Sequence, residues 1–190
     1  FYWVLKELGF SVKLYLARVI YNQDTHPGLT HRITMVEYDN QKYVLDVGFG
    51  PLGPRIPVPM SGTKTKDGEK VFRISEMCSG EYHMQVLTNG KFFSLYRFEL
   101  ARYGQSDCEL GHFYSSNHPK AVFVKNLVAS LILEQETRSL RNLEYWLIRP
   151  TGTEIQKIGS AEELWQILTG GFNIMISQQE SIYLYEKLAA

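Results

Sequence analysis

Residues alternating in polarity, broken by a few 3.6-residue stripes, predict a strand-rich chain with helices at its ends and margins. Phe1, Val4, Leu5 and Leu8 fall on one helical stripe, and Gly9 just beyond is placed to cap it. Phe10 to Tyr21 alternates weakly and is rich in β-formers, so it reads as a strand. Asn22 to Thr30 reads as a loop. His31 to Tyr38 and Lys42 to Val47 predict two more strands. The four prolines of DVGFGPLGPRIPVP preclude helix and most ladder pairing there. Val71 to Met77, Tyr82 to Thr88 and Lys91 to Leu100 follow as strands, the last two joined at Asn89-Gly90, the strongest hairpin signal in the chain. Gln105 to Pro119 is polar and reads as irregular. Leu143 to Arg149 and Thr153 to Ile158 predict a hairpin around Pro150-Thr151-Gly152. Ser160-Ala-Glu-Glu163 is a capping box opening a helix through Leu168. Phe172 to Ser177 reads as a last strand and Ser181 to Leu188 as a closing helix. The pattern as a whole is α+β with a mostly antiparallel β core.

Composition narrows the classes. A chain of 190 residues suits one domain, or two small ones sharing a core. With 44% apolar, 21% charged and 13% aromatic residues it has the makings of a large core or an apolar cleft. Zero formal net charge argues against nucleic acid and against an anionic membrane surface, since both demand a basic excess. The longest apolar run, AVFVKNLVASLIL, is interrupted by Lys125 and Asn126, too short to span a bilayer. Two cysteines, Cys78 and Cys108, make no disulfide framework, and no signal peptide opens the chain, so a cytoplasmic, reducing setting is the expectation. The chain opens at Phe1, inside an uncapped helix, and the expectation is that upstream residues are absent.

The chemistry centres on His31 and Asp46, each inside a predicted strand. With Asp39-Asn40 as a two-residue turn, Tyr38 faces Gln41, Ile33 faces Asp46 and His31 faces Gly48. His31 and Asp46 are then diagonal neighbours on one face, about 7–8 Å apart across the ladder and within one hydrogen bond of each other. Ile33, Met35 and Val44 share that face, so the pair would sit in apolar surroundings. A carboxylate there fixes the tautomer of an imidazole, as the third member of a nucleophile–base–acid triad does. The plain alternative is a satisfied structural pair. His112 stands four residues after Cys108, but neither cysteine has a local base and acid, and both read as ordinary thiols. The histidine spacings suit no metal. GFGPLGP lacks the Lys-Ser/Thr and the following helix of a phosphate loop. Lys64, Lys66 and Lys70 read as a solvated loop run, with a phosphate contact as the sharper alternative. Trp165 and Leu168 read as core.

LGFSVKLYLARV, THRITMV and KYVLDVGFG closely resemble the arylamine N-acetyltransferases, especially the bacterial ones. YRFEL, FYSSNHPKAVF and ELWQILTGGFNIMIS continue the likeness in order along most of the chain. The resemblance implies a β-barrel-like core with flanking helices and a cysteine-protease-like triad. It implies the end of an N-terminal helical domain over 1–10, a β-rich domain over 11–110 and an α/β lid over 111–190. His31 would be the triad base, Asp46 the orienting carboxylate, and Phe49 and Val19 would line the acceptor pocket. The implied reaction carries acetyl from acetyl-coenzyme A, through a cysteine thioester, to an arylamine, arylhydroxylamine or hydrazine, without a metal. The family's nucleophile lies in an Arg-Gly-Gly-x-Cys-x-Glu-x-Asn stretch just upstream of the helix, so it is expected on a segment preceding Phe1. An amide synthase of polyketide biosynthesis on the same scaffold, or an inactive binding module, are the alternatives.

Overall fold

In the computed structural model, which describes residues 1–78 and 80–189 with the Cys78 side chain left aside, the chain forms two compact units, Phe1–Ser116 and Asn117–Ala190. The first unit opens with helix α1 (Tyr2–Glu7). Gly9 at φ +84° lets the Gly9 and Phe10 amides bond back to the Lys6 and Leu5 carbonyls, closing the helix in a Schellman motif. Strands β1 (Ser11–Val19), β2 (His31–Tyr38), β3 (Gln41–Leu45) and β4 (Val58–Pro59) follow. Then come β5 (Thr65–Asp67), β6 (Lys70–Cys78), β7 (Glu81–Thr88), β8 (Lys91–Glu99) and helix α2 (Gln105–Asn117). The strands make one antiparallel sheet in the order β4-β3-β2-β1-β8-β7-β6-β5.

The sheet rolls up until β4 meets β6, a nearly closed barrel. Alternation decides its interior. Tyr15 and Ala17, Ile33 and Met35, Val44, Phe72 and Ile74, Met84 and Val86, and Tyr96 and Phe98 are buried on one face. A bulge in β8 modifies the pattern: Met84 faces Tyr96 while Gln85 faces Ser94, so Leu95 is the extra residue and is itself buried. The two hairpin turns read from sequence in this unit form as expected, with Asp39 and Asn40, and Asn89 and Gly90, all at positive φ.

Several expectations are corrected in this unit. Residues 105–117 form a helix rather than irregular chain. The Asp107 carboxylate accepts from the Gly104 amide at 2.7 Å, an end cap. None of its residues is buried, so no apolar stripe announced it, and Gly111 sits where a Cβ would come within 2.7 Å of the Leu29 carbonyl. Val58 and Pro59 do pair, against Val44 and Tyr43, because β4 is an edge strand where a missing amide costs no ladder bond. Lys66 and Lys70 lie in the β5–β6 hairpin. Lys70 is not a solvated loop residue: its ammonium donates to the Pro51 carbonyl.

The second unit contains the short helix α3 (Val122–Lys125), a meander of β9 (Val128–Ile132), β10 (Thr137–Arg141), β11 (Glu144–Arg149) and β12 (Gly152–Lys157), and two helices. These are α4 (Ala161–Gln166), running on through a π-turn at Ile167–Gly171, and α5 (Gln178–Ala189). Leu140, Ile158, Leu164, Leu168 and Phe172 form its core. Ser160 caps α4 by accepting from the Glu163 amide, as read. The strand expected over 172–177 does not form. Asn173 takes φ +55° and the Ile174 amide turns back to the Leu168 carbonyl. Strands β9 and β10 had no sequence assignment.

Candidate active site

β2 and β3 deliver the two ionisable groups, as the turn at Asp39-Asn40 requires. Tyr38 pairs with Gln41 and Thr34 with Leu45, so the register carries Asp46 to the place diagonal to His31. His31 Nε2 lies 2.7 Å from Asp46 Oδ2. The other carboxylate oxygen accepts from the Gly48 amide at 3.0 Å and the Phe49 amide at 3.1 Å. The Asp46 side chain is wholly buried and His31 keeps 12% exposure, so the carboxylate sits beneath a ring that reaches the surface. A carboxylate bound to Nε2 makes Nε2–H the favoured tautomer and leaves Nδ1 as the acceptor. That nitrogen has no hydrogen-bond partner among the described residues.

Aromatic rings enclose the imidazole. Phe49 meets it edge to face at 5.4 Å between centroids, Tyr96 at 5.0 Å, and Phe49 and Tyr96 are 5.3 Å apart. Tyr21 packs on Phe49 at 5.7 Å. A Cβ on Gly48 would stand 4.0 Å from His31 Cε1, so this position leaves the flank of the ring open. Val19 lies directly opposite Tyr96 in the β1–β8 ladder and therefore on the same face.

Tyr96 and Tyr21 carry no expectation from sequence. Tyr96 is fully buried. Burial pushes its phenol well above the ordinary value, and the Asp46 carboxylate beside it adds to the shift, while its hydroxyl makes no well-formed hydrogen bond. Its place depends on the pairing of β1 with β8, which no local signal reports. Tyr21 and Asn22 stand at φ 45° and 59°, a costly region for an aromatic residue. They are held there by the β8 bulge: the Tyr21 amide donates to Leu95, the Asn22 amide to Ser94, and Asn22 Oδ1 accepts from the Ser94 amide.

Cys108 lacks the character of a nucleophile. Burial pushes the Cys108 thiol up, only partly offset by Arg32, which is the reverse of what a nucleophile needs. Cys78 lies outside the described side chains. Among the described residues no group of three His, Cys, Asp or Glu could hold a metal, and no helix is long and apolar enough to cross a membrane.

The family model for N-acetyltransferases matches residues 1–181. The arylamine N-acetyltransferase of Escherichia coli is 33% identical over 129 residues, 66% of this chain and 45% of that protein. The Mycobacterium tuberculosis enzyme of the same name is 26% identical over 92% of this chain and 64% of its own length. A Mycobacterium marinum arylamine N-acetyltransferase solved in complex with CoA superposes with TM-score 0.88 at 25% identity, over 98% of this chain and 72% of that one. The chain thus spans 64% of the mycobacterial relative's length. Its fold and its match along nearly every residue lead to one conclusion: the chain belongs to the arylamine N-acetyltransferase family.

Proposed function

We propose that the protein transfers an acetyl group from acetyl-CoA to an aromatic amine, hydroxylamine or hydrazine by way of an acetylated cysteine. The observation that carries this reading is the 2.7 Å contact between His31 Nε2 and a buried Asp46, which leaves Nδ1 without a hydrogen-bond partner among the described residues, beside aromatic rings. A thiol presented to Nδ1 would give up its proton to the ring, and Asp46 would stabilise the imidazolium that forms. The thiolate attacks the donor's carbonyl, and the departing CoA sulfur takes the proton from His31. In the second half the amine attacks the thioester, His31 accepts the amine's proton, and the cysteine leaves as thiolate. Burial pushes the Cys108 thiol up, the reverse of an activated nucleophile, so this reading places the acetylated cysteine elsewhere. Phe49 and Val19 would line the space for the acceptor's ring. The CoA bound by the Mycobacterium marinum relative supports the choice of donor.

The test is acetylation of an aromatic amine by the full-length protein. His31→Ala is expected to lower kcat by three orders of magnitude or more, roughly the loss that follows removal of a triad base. Asp46→Asn leaves the shape of the site but no longer selects the tautomer, and is expected to cost about 10²–10⁴-fold. A loss under about tenfold for His31→Ala would sink the reading.

A further inference from the structure

The Phe49 ring packs edge-on against His31, yet the chain around it is neither helix nor ladder. Beside its amide bond to Asp46 and its packing on Tyr21 and Tyr96, it is held by contact from further along the same connection. Gly53 returns onto Phe49 through a turn closed by its own amide on the Gly50 carbonyl at 3.0 Å. A Cβ on Gly53 would stand 2.8 Å from Phe49 Cβ and 3.6 Å from Cδ1. Phe49 Cβ is fixed to the backbone, so it cannot swing aside as the tip of a long side chain would. The connection is in turn tied across the barrel seam. Asp67, almost wholly buried on β5, accepts from the Arg55 amide at 2.8 Å, from Nε at 3.0 Å and from Nη2 at 2.7 Å. Lys70 on β6 adds its bond to the Pro51 carbonyl. Residues 51 and 55 are therefore pinned to the β5–β6 hairpin, with Gly53 between them and pressed on Phe49.

We propose that Gly53 and the Arg55–Asp67 tie act as positioning residues that set the acceptor affinity by holding the Phe49 ring at His31. This rests on the reading of Phe49 as a wall of the acceptor pocket. Among the described residues no hydrogen bond joins Gly53 or Asp67 to the His31–Asp46 side chains, so the effect travels through Phe49. A larger residue at 53 shifts the ring off the imidazole edge, and a weakened tie lets the connection relax. The acetyl-donor step does not need an aromatic acceptor, and should feel either change far less.

The experiment uses the full-length protein with aniline as acceptor, and a separate measurement of the burst of CoA released from acetyl-CoA without an amine. Gly53→Ala is expected to raise the KM for aniline roughly tenfold, the size of effect that a small misplacement of a positioned group produces. The burst should change by less than about threefold, which a general loss of fold would not allow. Asp67→Asn, which keeps the shape and weakens the tie, is expected to move KM the same way by about threefold, and serves if the glycine variant does not fold. A Phe49→Ala background keeps the Cβ that the new methyl meets but removes the ring that it would displace, so Gly53→Ala should raise the KM no further there. KM unchanged in both single variants, or a full Gly53→Ala effect persisting without the Phe49 ring, overturns the proposal alone. An unmodified protein that shows no burst and does not acetylate aniline overturns the reading of the site and the proposal with it.

Discussion

Asp46 spends both of its oxygens on named partners: one on His31, the other on the Gly48 and Phe49 amides. A side chain so held cannot rotate without breaking three bonds, which is why it can orient an imidazole. Tyr96 is the contrary case. Its ring is buried against His31, Phe49 and Phe98, but its hydroxyl lacks a well-formed bond. Tyr96→Phe is therefore expected to leave stability within about 1 kcal/mol of the parent, or to raise it slightly. The ring contacts stay and a poorly satisfied polar atom goes. Tyr96→Ala should cost about 3–5 kcal/mol, as loss of a buried aromatic ring does. Urea unfolding of the two variants decides between these; a large loss in the phenylalanine variant would mean that the hydroxyl is better bonded to Asp46 than its geometry shows.

Among the elements, the helix end at Gly9 shows how a single backbone angle sets a boundary. At φ +84°, with the Gly9 and Phe10 amides bonded back into the last turn, an alanine meets the left-handed penalty that glycine escapes. Gly9→Ala is expected to cost about 1 kcal/mol in thermal or urea unfolding. The turns at Asp39-Asn40 and Asn89-Gly90 were legible for the same reason: their positive φ values admit few residue types, and the types are written in the chain. Helix α2 was not legible. It buries none of its residues in this structure, and its end cap at Asp107 lies where no apolar period follows. The missing strand at 172–177 errs the other way. Its apolar residues look like a strand, but Asn173 bends the backbone and Trp165 Nε1 donates to the Ile176 carbonyl.

At the level of the whole molecule, the two cores and the barrel seam govern stability. Met84, fully buried in the barrel, and Leu164, fully buried in the second unit, are each expected to cost about 2–5 kcal/mol on truncation to alanine. The seam adds an acid-sensitive part. Burial pushes the Asp67 carboxyl up, but the hydrogen bonds and charge of Arg55 more than offset it, leaving the folded value below the ordinary 3.8. A depressed carboxylate stabilises fully above the unfolded value of 3.8 and loses that contribution as pH falls through the lower folded value. Asp67→Asn is thus expected to lower stability at neutral pH and to flatten its decline on acidification below 3.8. Urea unfolding followed across that range checks both, and an unchanged acid slope would show that Asp67 is not the group that titrates.

Sequence by itself determined what local rules control. Alternating residues named the long strands of the barrel, a two-residue turn set the β2–β3 register, and that register brought His31 and Asp46 to one place because strand side chains repeat every two residues. Tertiary structure alone decided what long-range pairing controls. The joining of β1 to β8 set Tyr96 against the imidazole, the β8 bulge held Tyr21 and Asn22 in their costly conformation, and the closing seam tied Arg55 to Asp67. Such contacts join residues far apart in the chain, and their energy comes from closing the barrel, which no window of neighbouring residues encodes.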